Sequence, residues 1–174
     1  MFLSRRHIVV GLVALILALL ALLCYGKSPY TIVVIAEAWV LLGLAVVDLA
    51  SRRLPDRLLV LGLPLAAVGS LGFSRPLPLA ALAGGILGLG AFWLLAKARP
   101  GALGRGDIKL AGLIGLLVGF PGVVTALLAG MIMGGVTALA LVLSGRATTT
   151  QTMAYAPYLV IGAWVAMFGP GLLR

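Results

Sequence analysis

The chain has 174 residues, of which 63% are hydrophobic and only 10% charged, where a soluble domain carries roughly 25% charged residues. Thirteen Lys and Arg against four Asp and Glu leave a net charge of +9. Apolar runs suited to crossing a hydrocarbon core recur from residue 8 to residue 173, which predicts an all-α polytopic membrane protein of about seven transmembrane helices with short loops. Those spans form a single membrane domain over 1–174 and leave no room for a separate soluble domain, a nucleotide-binding fold or a nucleic-acid module. The basic excess therefore reads as loop orientation and contact with anionic headgroups, with membrane lipids and not nucleic acid as the partner.

The first apolar run, residues 8–25, follows the basic start Ser4-Arg-Arg-His7. It is long for a signal-peptide core and has no small-x-small exit, so it is expected to be a retained accessory helix. A six-helix core over 30–173 follows. The second span is predicted over about Tyr30–Leu49, the third over Arg57–Phe73 and the fourth over Leu77–Ala96. From Ile108 to Leu143 the apolar stretch covers 36 residues, roughly 54 Å as one helix. Phe120-Pro121-Gly122 divides it into a short fifth span at about 107–119 and a sixth. The seventh is expected over about 153–172, after the polar segment Ser144–Thr152.

With the N-terminus inside, ten basic residues fall on cytoplasmic loops: Arg5, Arg6, Arg52, Arg53, Arg57, Lys97, Arg99, Arg105, Lys109 and Arg146. Only Lys27, Arg75 and Arg174 fall outside. This asymmetry predicts a multi-pass protein of the plasma or inner membrane with its C-terminus external. Small-residue spacings at Gly84/Gly88, Gly115/Gly119 and Gly130/Gly134 are read as close helix packing within a monomer in preference to homodimerisation.

The four acids, Glu37, Asp48, Asp56 and Asp107, are the whole carboxylate inventory. Acids in or near the hydrocarbon are costly and therefore mark candidate functional sites. Asp48 ends the second span just before Ser51-Arg-Arg53, and Asp107 opens the fifth behind Gly104-Arg-Gly106, so both lie at the same rim. Two such acids on different helices suit an aspartyl hydrolase: one draws a proton from water while the other, kept protonated, polarises a carbonyl. Like charges at close range keep one of the two protonated. Glu37 lies eleven residues before Asp48, about 16 Å deeper on nearly the same face. It is read as bonding within the bundle.

Asp48-Leu-Ala-Ser-Arg-Arg-Leu-Pro-Asp56 and Gly104-Arg-Gly-Asp-Ile-Lys-Leu110 together resemble the two signatures of the type IV prepilin peptidase family, GxGD-type aspartic membrane proteases. The resemblance covers residues 30–173. It implies catalysis by Asp48 and Asp107, with Pro55, Asp56, Gly104, Gly106 and Lys109 as supporting motif residues. It also implies removal of the short basic leader of pilin-like precursors, at the cytoplasmic face, in service of a type IV pilus or a secretion system. Larger members also carry a cytoplasmic domain with paired CxxC motifs and methylate the new pilin N-terminus. With Cys24 as its single cysteine the chain resembles a minimal, peptidase-only form, with no metal and no cofactor expected. A Pro-Phe-Gly-Pro-like segment of the family has its counterpart in Ala154-Tyr-Ala-Pro-Tyr158, where two alanines depart from the pattern.

Local chemistry suggests roles for the supporting residues. Gly104 and Gly106 allow a sharp turn and a close backbone approach, with loop N–H groups able to hold an extended substrate. Asp56 is expected to cap the third span. Lys109 points about 200° away from Asp107 on a helix, toward headgroups or loop carbonyls. His7, Cys24, Met131 and Met133 have no partners at ligand spacing and are read as structural, as are Trp39, Trp93 and Trp164. A small proton-coupled transporter is the main alternative, but it would place its acids near the midplane and not at one rim. An inactive scaffold of a pilus or secretion machine would not need both aspartates.

Overall fold

The computed structural model describes residues 2–98, 103–145 and 154–172, with side chains from residue 7 onward. Seven α-helices account for nearly all of it: α1 Phe2–Tyr25, α2 Pro29–Ser51, α3 Asp56–Ala67, α4 Pro78–Ala98, α5 Arg105–Val118, α6 Gly122–Leu143 and α7 Ala156–Leu172. No strand occurs among the described residues. The helices α1, α2, α4 and α6 are long and apolar enough to cross a membrane, and α7 is an apolar helix of 17 residues. The basic positions Arg99, Arg146 and Arg174, and the glycine-rich loop before Leu103, lie outside the described residues.

The predicted third span is in fact composite. After α3 the chain widens into a π-helical turn, Val68–Gly72, the kind of local irregularity that often accompanies a functional feature. The break at Phe120-Pro121 falls where expected. Gly119 there has a positive φ of 66°, a conformation open to glycine at little steric expense. Its N–H bonds the carbonyl of Gly115, and the next N–H, of Phe120, crosses to Ala80 of α4 at 2.9 Å.

Apolar surface gives no preference between neighbour and lipid inside a bilayer, so intimate contact has to come from shape. The α4–α5 and α6–α7 pairs are the most extensive in the bundle, and both are built on small residues. A Cβ added at Gly84 would meet the carbonyl of Gly115, and one at Gly115 would meet that of Gly84. Gly88 rests on the Ala111 carbonyl, and Gly162 of α7 on that of Ala126 of α6. Around these seams Leu41, Leu44, Phe92, Leu110, Ile114 and Leu159 form a dry centre. Trp39 and Trp93 instead lie on the outer face, Trp39 donating to the Ala14 carbonyl at 3.1 Å and Trp93 under the Lys97 ammonium at 3.9 Å. The helix α2 packs against α1, α3 and α7, so its two acids both project into the assembly.

Candidate active site

Asp48 lies one turn from the C-terminal end of α2, which closes on Arg52 in the left-handed region, with the Arg52 N–H on the Asp48 carbonyl at 2.7 Å. The side chain is 5% exposed. Its Oδ2 accepts the N–H of Ala156 at 3.2 Å. Ala156 is the first residue of α7, so its N–H is one of the donors a helix leaves unsatisfied at its start, and an anion there is favoured by the helix dipole. Asp48 thus caps a helix more than a hundred residues away.

Asp107 occupies the first turn of α5 and is partly buried. Its Oδ2 reaches back to accept the N–H of Gly104 at 3.1 Å, while the Asp107 N–H donates to the Gly104 carbonyl at 3.1 Å. This reciprocal pair starts the helix in the manner of a capping box, with a backbone carbonyl in place of the usual hydroxyl. The two carboxylates are close enough for the Asp48 charge to act on Asp107, and Asp107 in turn acts on the hydroxyl of Tyr155. Asp48, Asp107 and the Tyr155–Ala156 junction therefore meet at one end of the bundle.

The glycines of the motif serve proximity. Neither Gly104 nor Gly106 has a positive φ, so the sharp turn expected of them is not what requires glycine. A Cβ on Gly104 would stand 3.2 Å from Asp107 Oδ2, and one on Gly106 would stand 2.8 Å from the Cβ of Leu54. Gly106 thereby seats the second motif directly on the loop of the first, and brings the N-terminus of α5 up to the end of α2.

Three expectations are corrected here. Asp56 does not cap α3: it is the first residue of that helix, Pro55 holds the cap position, and no side-chain cap bond forms. Its carboxylate instead pairs with the Lys109 ammonium at 2.7 Å, on the outside of the site. Lys109 accordingly faces away from Asp107 as anticipated, but its partner is an acid and not a headgroup or a loop carbonyl. Pro55 contributes a rigid start to α3 beside Leu54. Glu37 also departs from expectation, since no bond within the bundle reaches its carboxylate from a described residue.

Ala156 as the donor to Asp48, and Tyr155 as a neighbour of Asp107, were missed. Tyr155 packs between Phe92, at 6.3 Å between ring centres, and Gly134, where an added Cβ would come within 2.8 Å of its ring. The one available signal was the position of the segment Ala154–Tyr158. An apolar groove of about 670 Å³ lined by α3, α4 and α5 lies along Lys109, Gly112, Leu113 and Leu116, the face of α5 turned away from Asp107. Among the described residues there is no cluster of His, Cys, Asp and Glu suited to a metal ion.

Comparison with known proteins agrees with the motifs. The type IV leader peptidase family matches residues 34–139, and the chain belongs to that family. It is 29% identical over 171 residues to a prepilin leader peptidase/N-methyltransferase of Pseudomonas putida, covering 94% of this chain and 59% of the relative. A protein of the same description from Bacillus subtilis is 30% identical over 138 residues, 76% of this chain and 54% of the relative. Another, from Xanthomonas campestris, is 32% identical over 135 residues, 74% of this chain and 46% of the relative. The chain thus spans about half the length of the curated relatives it matches. No solved structure matches it.

Proposed function

We propose that the chain is a membrane aspartic endopeptidase that removes the short basic leader from pilin-like precursors at the cytoplasmic face, with Asp48 and Asp107 as its catalytic pair. The observation that carries this reading is the convergence of two carboxylates from α2 and α5 at one end of the bundle, each accepting a backbone N–H. One of them, ionised, takes a proton from a water as its oxygen attacks the scissile carbonyl. The other, protonated, donates to that carbonyl oxygen as the tetrahedral intermediate forms. The proton held by the first then passes to the leaving amine as the C–N bond breaks, while a hydroxyl of the intermediate gives its proton back to the second, so the pair ends singly protonated as it began. A protein scaffold that packs this pair between helices excludes bulk water and strengthens each of these interactions.

The cytoplasmic assignment rests on charge. Arg52, Arg53, Arg57, Arg105 and Lys109 cluster by sequence around the aspartates, whereas Lys27 and Arg75 flank the other ends of α2 and α3. A substrate with a basic leader followed by an apolar helix would place its junction at this rim, with the helix in the bilayer. The N-terminal helix α1 is proposed as an accessory to the core formed by the later six. The test is leader removal from a co-expressed pilin-like precursor, read as a mobility shift, by wild type and by Asp48→Asn and Asp107→Asn. Substantial cleavage by either variant would refute the dyad.

A further inference from the structure

Glu37 is 2% exposed and sits eleven residues from Asp48 on α2, in the half of the bundle away from the aspartate pair. No hydrogen bond or ion pair reaches its carboxylate from a described residue. It faces a cavity of about 250 Å³ that it shares with Tyr25, Tyr30, Ser74 and Arg75. An acid held in this way in an apolar bundle is costly without a partner, and the cavity is where a partner can be placed.

The surroundings specify that partner. The hydroxyls of Tyr25 and Tyr30 cannot donate to Glu37, because both donate elsewhere: Tyr25 to the Met167 carbonyl at 2.6 Å, Tyr30 to the Arg75 carbonyl at 3.1 Å. Their oxygens and the carboxylate therefore present acceptors, and their rings, edge to face at 5.4 Å, present an aromatic wall. Acceptors beside aromatic faces suit an ammonium group. Arg75 supplies the opposite sign. Its guanidinium lies 5.7 Å over the Tyr30 ring, and its backbone N–H donates to the Gly69 carbonyl of the π-helical turn at 3.0 Å. Gly69 makes the arrangement possible, since an added Cβ would stand 3.1 Å from both Glu37 Oε1 and the Arg75 carbonyl.

A carboxylate and a guanidinium thus line one cavity without pairing with each other; among the described residues the Lys109–Asp56 contact is the ion pair. Arg75 also borders a second cavity of about 420 Å³ that runs past Cys24, Met167 and Pro170. It lies in the loop between α3 and α4, at the end of the bundle where headgroup phosphates would be found. We infer that the Glu37–Arg75 cavity binds an ammonium–phosphate zwitterion of the phosphoethanolamine type, with its ammonium on Glu37 and its phosphate on Arg75. Such a group is available as the headgroup of phosphatidylethanolamine, whose glycerol would extend into the second cavity, or as the free phosphomonoester.

The experiment is native mass spectrometry of the detergent-purified full chain titrated with phosphatidylethanolamine, phosphatidylcholine and phosphatidylglycerol, with free phosphoethanolamine as competitor. Phosphatidylethanolamine should give a saturable single adduct. Phosphatidylcholine, which has no N–H donor, and phosphatidylglycerol, which has no ammonium, should each bind about tenfold more weakly, as should phosphatidylethanolamine to Glu37→Gln or Arg75→Gln. Displacement by the free phosphomonoester would identify the soluble form as a ligand; persistence of the adduct would identify the lipid. The headgroup series on wild type stands by itself if a variant does not fold. Equal binding of the three lipids, absence of a saturable adduct with either zwitterion, or unchanged affinity in a folded Glu37→Gln would overturn the proposal.

Discussion

The two halves of α2 place a buried acid in opposite circumstances. Asp48 accepts an N–H from the start of α7 and stands near a second carboxylate, whereas Glu37 has no bonding partner among the described residues and shares its cavity with a guanidinium. At the Asp48 end one backbone N–H holds the carboxylate and a second acid stands nearby, the arrangement that the proposed proton exchange needs. At the Glu37 end the opposite sign is within the same cavity but out of contact, which suits holding a ligand. Helix position alone distinguishes neither; the difference comes from what α5, α7 and the α3–α4 loop bring to each acid.

The largest effect should come from breaking the first arrangement. Asp48→Asn and Asp107→Asn each keep side-chain size, so membrane insertion and folding should hold. Cleavage should fall by about a thousandfold or more for either, because neither acid alone supplies both proton roles. Single-turnover leader removal in proteoliposomes, with the folded fraction measured in parallel, is the check.

A smaller loss is expected from separating the two motifs without touching an acid. In Gly106→Ala the new methyl would meet Leu54 at 2.8 Å, and the α5 start must shift away from the α2–α3 loop. A displacement of that size between the proposed catalytic groups should cost about ten- to a hundredfold in rate, with thermal stability changed by about 1–3 kcal/mol. Wild-type turnover in a folded Gly106→Ala protein would show that the close approach to Leu54 does not set the distance between the aspartates.

Much of this contrast was legible before the fold. With four acids in 174 residues, the candidates were few, and the apolar runs fixed which of them lay near a membrane edge. The contact of Asp48 with Ala156 was not legible, because a backbone N–H donor leaves no mark on residue type; any side chain at 156 would offer it. The lack of a partner for Glu37 was equally hidden, since it depends on the π-helical turn bringing Gly69 to its carboxylate and on the tyrosine hydroxyls being used elsewhere. Asp56 was misread because an acid after Pro at a helix start looks like a cap, and its ion pair joins α3 to α5 across fifty-three residues.

Glu37→Gln should sharpen the contrast from the other side. Replacing a buried acid that has no bonding partner among the described residues by its neutral isostere should leave the protein as stable or more so. Leader cleavage should stay within about threefold of wild type, since the side chain is about 16 Å along α2 from Asp48. A collapse of cleavage with the fold intact would mean that the two ends of α2 are coupled and that treating them as separate sites is wrong.

The smallest effect is expected at Asp56, and the reason lies in solvent. The Asp56–Lys109 pair is short, 2.7 Å, but the side chains are 70% and 53% exposed, so screening and side-chain entropy offset most of the attraction. The pair also lies on the side of α5 turned away from Asp107, outside the proposed dyad. Asp56→Asn and Lys109→Met, alone and together, should therefore give a coupling energy below about 1 kcal/mol in a thermal-stability cycle. Cleavage by Asp56→Asn should remain near wild type, in contrast to Asp48→Asn and Asp107→Asn measured in the same membranes. A loss at Asp56 as deep as at the other two aspartates would make it part of the reacting centre and would require α3 to turn that carboxylate inward when substrate binds.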